Sequence, residues 1–428
     1  MREICASLEH SSFNTRPTMS QPGGSTRRSA LPVAFVSIVL LLACNRHAVA
    51  QLDRLEVEGY AIINYAKYAW QTDPQRRASI DLERAAIEPT YRLSDRIELE
   101  AEIEFEHGGT GSAMEFDKFE EFGEYEQEVD KGGEVVLEKL AVTIAFEPWL
   151  NLRLGHFYLP IGLTNSDYEP TDYFTVTRSE AESGIIPATW HETGIELFGV
   201  AGAFSYRAQI VNGLDATGFS SAAWVSGGHQ GRFETINAEN LAIAARVDYK
   251  PFEELSVGIS GYHGNSADNR PKPDLTVPAN VSIGEAHGVF RSGGLTARGE
   301  FLYGALQNSG AVSKANRNLS NNLNVKRTPV GSAAMGWYAE AGYDLMPLLD
   351  SASTPVELFG RYEFYDSMYK VDPEIFDNPR WQRSVATVGV NYKPIPALVI
   401  KAAYSRRILG TPSDNREETF GLGMGVEF

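Results

Sequence analysis

Residues Ile97 to Glu106 read IELEAEIEFE, with an apolar side chain at one position and a glutamate at the next for ten residues. Ile97, Leu99, Ala101, Ile103 and Phe105 point one way, and Glu98, Glu100, Glu102, Glu104 and Glu106 point the other. A helix, with its period of 3.6 residues, would scatter that pattern around its circumference. A strand has period two and sorts it onto two faces. One apolar face and one charged face describe a strand standing between two different solvents.

The same pattern recurs on both sides of this stretch. Leu140, Val142, Ile144 and Phe146 alternate with Lys139, Ala141, Thr143 and Ala145, and the chain ends with Phe420, Leu422, Met424, Val426 and Phe428 alternating with glycines and Glu427. Strands are expected near 55–68, 79–91, 97–106, 134–146, 151–158, 191–198, 203–212, 239–250, 254–263, 284–291, 294–306, 333–345, 355–366, 381–392, 398–407 and 417–428, sixteen in all. Tight turns follow the even-numbered strands, while the loops after odd-numbered strands run from about ten to over thirty residues. That alternation fits an all-β transmembrane barrel with short periplasmic turns and long outer loops. Closure satisfies every backbone group in lipid, and sixteen strands enclose an aqueous lumen.

Several short connections place an aromatic beside a proline: Phe146-Glu147-Pro148-Trp149, Tyr249-Lys250-Pro251-Phe252 and Tyr392-Lys393-Pro394. Proline presets a turn and cannot donate to a ladder, and aromatics at strand ends suit an interfacial girdle.

The chain opens with a leader over residues 1–50. Arg27 and Arg28 precede the apolar run Leu31–Ala43, and Ala48-Val49-Ala50 forms a signal-peptidase site with cleavage after Ala50. Such a run is too short for a membrane span and suits a secretory signal. Met19 is an alternative initiator, and Leu41-Leu42-Ala43-Cys44 is an alternative lipidation site. The whole chain has 38 basic and 56 acidic residues, net −18, and both cysteines, Cys5 and Cys44, fall in the leader. Residues 51–428 form a single barrel domain, thiol-free, with 33 basic and 54 acidic residues. An acidic chain is a poor nucleic-acid binder, and a cysteine-free one excludes a disulfide scaffold. The predicted location is the outer membrane of a Gram-negative bacterium.

Phe428, ending an alternating strand, resembles the C-terminal signal read by the barrel-assembly machinery of such bacteria. Gly155-His156-Phe157-Tyr158-Leu159-Pro160-Ile161-Gly162-Leu163 resembles the G-x-F-x-x-P-x-G-L stretch of the phosphate-selective porin O/P-like family, and Ile186-Pro187-Ala188-Thr189-Trp190-His191-Glu192-Thr193-Gly194 occupies the place where that family leaves its third loop. The resemblance implies a 16-stranded trimeric barrel whose third loop folds inward and narrows the pore. Phosphate selectivity does not carry over. The third loop, Leu159 to Trp190, has no lysine and one arginine, Arg178, against Asp167, Glu169, Asp172, Glu180 and Glu182.

Alternation places further charges in the lumen. Arg153, Arg207, Arg246, Arg298 and Arg361 fall on inward faces with Glu98, Glu100, Glu102 and Glu104. On the lipid face an arginine would cost about 2–4 kcal/mol at the midplane. An acidic loop facing basic wall residues would set up a transverse field across an eyelet. The alternative is that these are solvated lumen residues with no selective role.

The second outer loop, between Gly108 and Lys131, carries Glu115, Asp117, Glu120, Glu121, Glu124, Glu126, Glu128 and Asp130. It either repels itself in water or meets lipopolysaccharide phosphates through divalent cations. Catalytic readings are weaker. Trp190-His191-Glu192-Thr193-Gly194 lacks the second histidine of H-E-x-x-H, no nucleophile elbow or P-loop is present, and the histidines lack metal-ligand spacing. No cofactor, metal site or enzymatic activity is expected. The function expected is passive diffusion of small hydrophilic solutes or ions through a trimer. A plugged barrel acting as receptor or adhesin is the alternative, and a barrel-embedded hydrolase the third.

Overall fold

The computed structural model describes residues 53–109, 115–121, 124–128, 133–165, 169–230, 236–317, 319, 327–349 and 354–428; the leader lies outside these. Three long strands come first, β1 (Leu55–Trp70), β2 (Ser79–Ser94) and β3 (Ile97–Glu106). A small hairpin follows in the acidic second loop, β4 (Glu115–Glu121) with β5 (Glu124–Glu128). The chain continues through β6 (Glu134–Glu147), β7 (Leu150–Tyr158), a one-turn helix α1 (Glu180–Ser183), β8 (His191–Ala201), β9 (Phe204–Asn212), β10 (Leu241–Phe252) and β11 (Leu255–Asn265). It finishes with β12 (Asn280–Ser292), β13 (Leu295–Leu306), α2 (Ser309–Arg317), β14 (Ala333–Asp344), β15 (Val356–Lys370), β16 (Gln382–Ile395), β17 (Leu398–Leu409) and β18 (Arg416–Glu427).

Every strand except β4 and β5 belongs to one closed barrel, sixteen in number, with β18 returning to pair with β1. Each strand is antiparallel to its sequence neighbours, β3 pairing directly with β6 past the hairpin. No helix among the described residues is long and apolar enough to cross a membrane. Closure leaves no unpaired edge, so the strands themselves can cross one.

The two faces separate as the alternation predicts. Ile195, Ile210, Ile243, Ile259 and Val388 point outward and are 50–64% exposed, whereas Glu102, Glu104, Glu196 and Glu363 point inward and are buried. A belt of large apolar side chains facing out is unfavourable in water and suits hydrocarbon.

Three details differ from the sequence-based expectation. Pro251 and Pro394 lie inside the last rungs of β10 and β16, where the register slips, and not in the turns. A bulge tolerates a residue that cannot donate. The connection between β14 and β15 is longer than a tight turn and includes a 3-10 turn at Met346–Leu349. The first and last connections at the long-loop end, residues 71–78 and 410–415, are shorter than expected.

Candidate functional site

The third loop turns into the barrel. Leu159, Ile161 and Leu163 are buried, and Gly162 has φ +89°, where a Cβ would stand 2.4 Å from the Glu182 carboxylate. Glu182 accepts from the Thr164 amide (2.9 Å), the Thr164 hydroxyl (2.7 Å) and the Asn165 amide (2.7 Å), tying the loop to itself. The wall holds the loop from several strands. Glu300 on β13 accepts from the Leu163 amide (3.2 Å), and Arg246 on β10 donates to the Gly162 carbonyl (3.1 Å). Glu363 on β15 accepts from the Ser179 hydroxyl (2.8 Å) and the Ala181 amide (3.1 Å), which fixes the start of α1.

Glycines make room on that side. At Gly342 a Cβ would meet the Phe174 ring at 2.4 Å, at Gly425 it would meet Pro170 at 2.3 Å, and at Gly336 the Ala181 carbonyl at 2.6 Å. Phe174 stacks on Phe359 with centroids 5.5 Å apart, and the Arg298 guanidinium sits 5.0 Å from its ring. The Lys401 ammonium lies 3.7 Å from the centroid of Tyr173 and donates to the Tyr173 (2.6 Å) and Thr175 (3.1 Å) carbonyls.

The wall charges are paired along a strand or across neighbouring strands. Glu196 accepts from Arg153 (2.6 Å) and Arg207 (2.5 Å), and Arg153 also reaches Glu100 at 3.5 Å. Arg298 meets Glu340 (2.5 Å), Arg361 meets Glu363 (2.7 Å), and Arg246 meets Asp248 (2.9 Å). Arg84, which sequence reasoning missed, bridges Glu104 (3.1 Å) and Glu106 (2.9 Å), and Glu98 lies 3.5 Å from Arg92 nearer the short-turn end.

The expected division into an acidic loop facing a basic wall is therefore not what the side chains form. Each named wall arginine has a carboxylate neighbour on the wall, two residues along the same strand for Arg246 and Arg361 and on an adjacent strand for the others. Of the loop acids, Glu182 serves the loop's own backbone, and Asp167 lies outside the described residues. Glu180 pairs with a wall arginine. It accepts from Arg407 on β17 (2.6 Å) and from the Tyr365 hydroxyl (2.6 Å), and Arg407 also binds Glu417. Burial would raise the Glu180 carboxyl, but Arg407 and the hydrogen bonds outweigh it and hold the group down at about 2.

Glu169 and Asp172 sit toward the short-turn end, where the Thr171 amide donates to Glu427 (2.9 Å). Burial, with Glu427 and Asp172 nearby, pushes Glu169 up to about 7. Arg178 is half-buried with Thr164 and Glu182 beside a small space, and its carbonyl accepts from Arg361 (3.3 Å).

Open space remains between the loop and the β1–β2 wall. This cavity, of about 160 Å³, is lined by Asn64, Tyr65, Ala66 and Tyr68 on β1, by Ser79, Asp81 and Glu83 on β2, and by residues of β15 to β18 that include Arg361, Glu363 and Gly421. Thr175, Val176 and Thr177 of the loop close the other side.

A second cluster lies on β3 and β6. Glu102, Glu104 and Glu138 bring carboxylate oxygens within 4.8 Å of one another and are the group among the described residues whose spacing could hold a metal. Protein groups already meet this charge, with Arg84 on Glu104 and Lys139 3.8 Å from Glu102. Glu138 accepts from the Tyr158 hydroxyl (2.5 Å) and the Thr189 hydroxyl (3.1 Å). Glu138 joins the inward face through a bulge: Glu102 pairs with Lys139 and Ile103 with Leu137. Two charged residues in succession inside an alternating strand were the signal for that bulge.

No model of a known protein family matches the chain. An uncharacterized protein of Aquifex aeolicus (strain VF5) is 28% identical over 365 residues, covering 84% of this chain and 78% of that protein. Among solved structures, a loop L8 deletion mutant of the Vibrio cholerae outer membrane protein OmpT superposes with a TM-score of 0.52 at 13% identity, covering 87% of this chain and 99% of that one. The anion-selective porin of Comamonas acidovorans gives 0.53 at 10% identity, covering 87% and 99%. Salmonella typhi OmpF gives 0.55 at 9% identity, covering 87% and 97%. What these structures share with the chain is the fold, the closed 16-strand antiparallel barrel of outer-membrane porins.

Proposed function

We propose that the protein is a passive diffusion channel of the Gram-negative outer membrane, carrying small hydrophilic solutes or ions down their gradients. The observation that carries this reading is the combination of an apolar outer belt with a charged inner face and a loop docked inside the closed wall. Lipid outside and water inside are the two solvents that such faces need. The docked loop narrows the lumen, and selectivity follows from the size and charge of the remaining space. The structural likeness to outer-membrane porins supports the barrel. The finer reading keeps the architecture of the phosphate-selective porin O/P-like family, a homotrimer assembled through the Phe428 signal, with the acidic second loop facing lipopolysaccharide. No catalytic step is assigned to it.

Osmotic swelling of liposomes containing the purified protein tests the channel. Small sugars should enter and progressively larger ones should be excluded. Liposomes that swell no faster than protein-free ones would reject a channel.

One observation favours a second reading, a plugged barrel acting through its outer surface. The loop between β9 and β10 also crosses the mouth. Trp224 is buried and its indole donates to the Gly331 carbonyl (3.0 Å), and the Ser367 hydroxyl donates to the Ser221 carbonyl (2.5 Å). The swelling experiment separates the two readings.

A further inference from the structure

The cavity beside the third loop has an uneven charge, and this bears on which solutes the proposed channel would carry; the inference rests on that channel reading. Asp81, Glu83, Glu180 and Glu363 line the cavity with a single cation, Arg361. Two of these carboxylates are answered locally, Glu363 by Arg361 (2.7 Å) and Glu180 by Arg407 (2.6 Å). Among the described residues, neither Asp81 nor Glu83 forms an ion pair with a lysine or an arginine, although Arg84, Arg178 and Lys401 act on Glu83 from a greater distance. Asp81 has the His107 imidazole at 2.9 Å, and Glu83 accepts from the neutral Asn64 amide. The one arginine of the loop, Arg178, lies by the separate space it shares with Thr164 and Glu182. Hydroxyls of Ser79, Thr175, Thr177, Thr387, Ser405 and Thr419 supply the rest of the polar lining.

We propose that this space selects small cations, including amine-bearing solutes, over anions, and that Asp81 and Glu83 are the residues that set the preference. A confined aqueous path with low-dielectric walls focuses the field of its lining charges, so two carboxylates without a lysine or arginine ion pair raise the local cation concentration. The hydroxyls then replace part of the hydration shell that a cation sheds on entering a narrow space. The paired wall arginines contribute little opposing field, since each sits against a carboxylate.

The test uses the purified full-length mature protein in planar bilayers under a potassium chloride gradient, with the zero-current potential read for the wild type and for the double variant Asp81→Asn/Glu83→Gln. Folding of each is checked by heat-modifiable gel mobility, and Asp81→Asn alone serves if the double variant does not fold. The expected result is a potential of the cation-selective sign, with the potassium-to-chloride permeability ratio falling on the order of tenfold in the double variant. An anion-selective potential, or a ratio unchanged by the substitutions in a conducting channel, overturns this inference and leaves the channel reading standing. Absence of current from folded wild type overturns the channel reading and this inference with it.

Discussion

The wall from β13 to β18 and the adjoining wall formed by β1 to β3 have the same strand pattern but differ in the small residues they turn inward. The first presents glycines inward, Gly336 and Gly342 on β14 and Gly421, Gly423 and Gly425 on β18, and the third loop lies against it. The second presents Asp81, Glu83, Glu102 and Glu104, and the cavity lies beside Asp81 and Glu83. Small inward residues thus make room for the loop, and the carboxylates of the adjoining β2 strand face the space that remains. Where the loop does meet wall carboxylates its own donors satisfy them, the Leu163 amide on Glu300 and the Ser179 hydroxyl and Ala181 amide on Glu363.

The sharpest way to break this comparison is at the stacked aromatic. Phe174→Ala removes a buried ring from the loop's contact with Phe359 and should weaken docking by about 3–5 kcal/mol. Limited proteolysis within residues 159–190 should accelerate while the heat-modifiable barrel persists, because cleavage tracks the population of the open loop. Glu180→Gln removes the loop's charge from Arg407 and should cost about 1.5–3 kcal/mol, read as a lower denaturation midpoint. The sign of its pH dependence is fixed by the depressed carboxyl: the contribution is full above the ordinary carboxylate range, near 4.5, and is lost as pH falls toward about 2. The Gln variant should lack that acid-dependent loss.

From the wall side, Gly342→Val drives a side chain into the Phe174 ring and should cost about 1–3 kcal/mol. The same change at Gly284, where a Cβ meets nothing within 4 Å, should leave proteolysis of the loop unaltered. The smallest effect is expected at Glu169. Its carboxyl is raised to about 7, so the native state binds the extra proton between about 4.5 and 7, and this group's contribution to stability declines as pH rises through that window. Glu169→Gln should flatten the midpoint-against-pH curve there; an identical curve would remove Glu169 from the account.

The barrel was legible in the sequence because two solvents impose one period on every strand. Sixteen predicted segments correspond to the sixteen observed strands. The rule weakened where both solvents are absent. β12 begins at Asn280, four residues before the expected start, since Val281 and Ile283 turn inward and are buried in the apolar cluster with Leu214 and Trp224. The alternating glycines of β18 were visible as a pattern, yet only the docked loop explains them as places of close backbone approach. Parity alone put Glu102, Glu104, Arg298 and Arg361 on inward faces, and all four are buried. Their partners were not legible, because Arg407 and Glu180 are 227 residues apart and meet only after closure.

In the proposed function the docked loop leaves an aqueous path through the barrel. Single-channel recording of the purified protein in a planar bilayer tests it most directly. The account predicts discrete current steps with an ohmic current–voltage relation, grouped in threes for a homotrimer, and larger steps when Phe174→Ala frees the loop. Reproducible silence from folded, heat-modifiable protein, in the wild type and in Phe174→Ala alike, would contradict it.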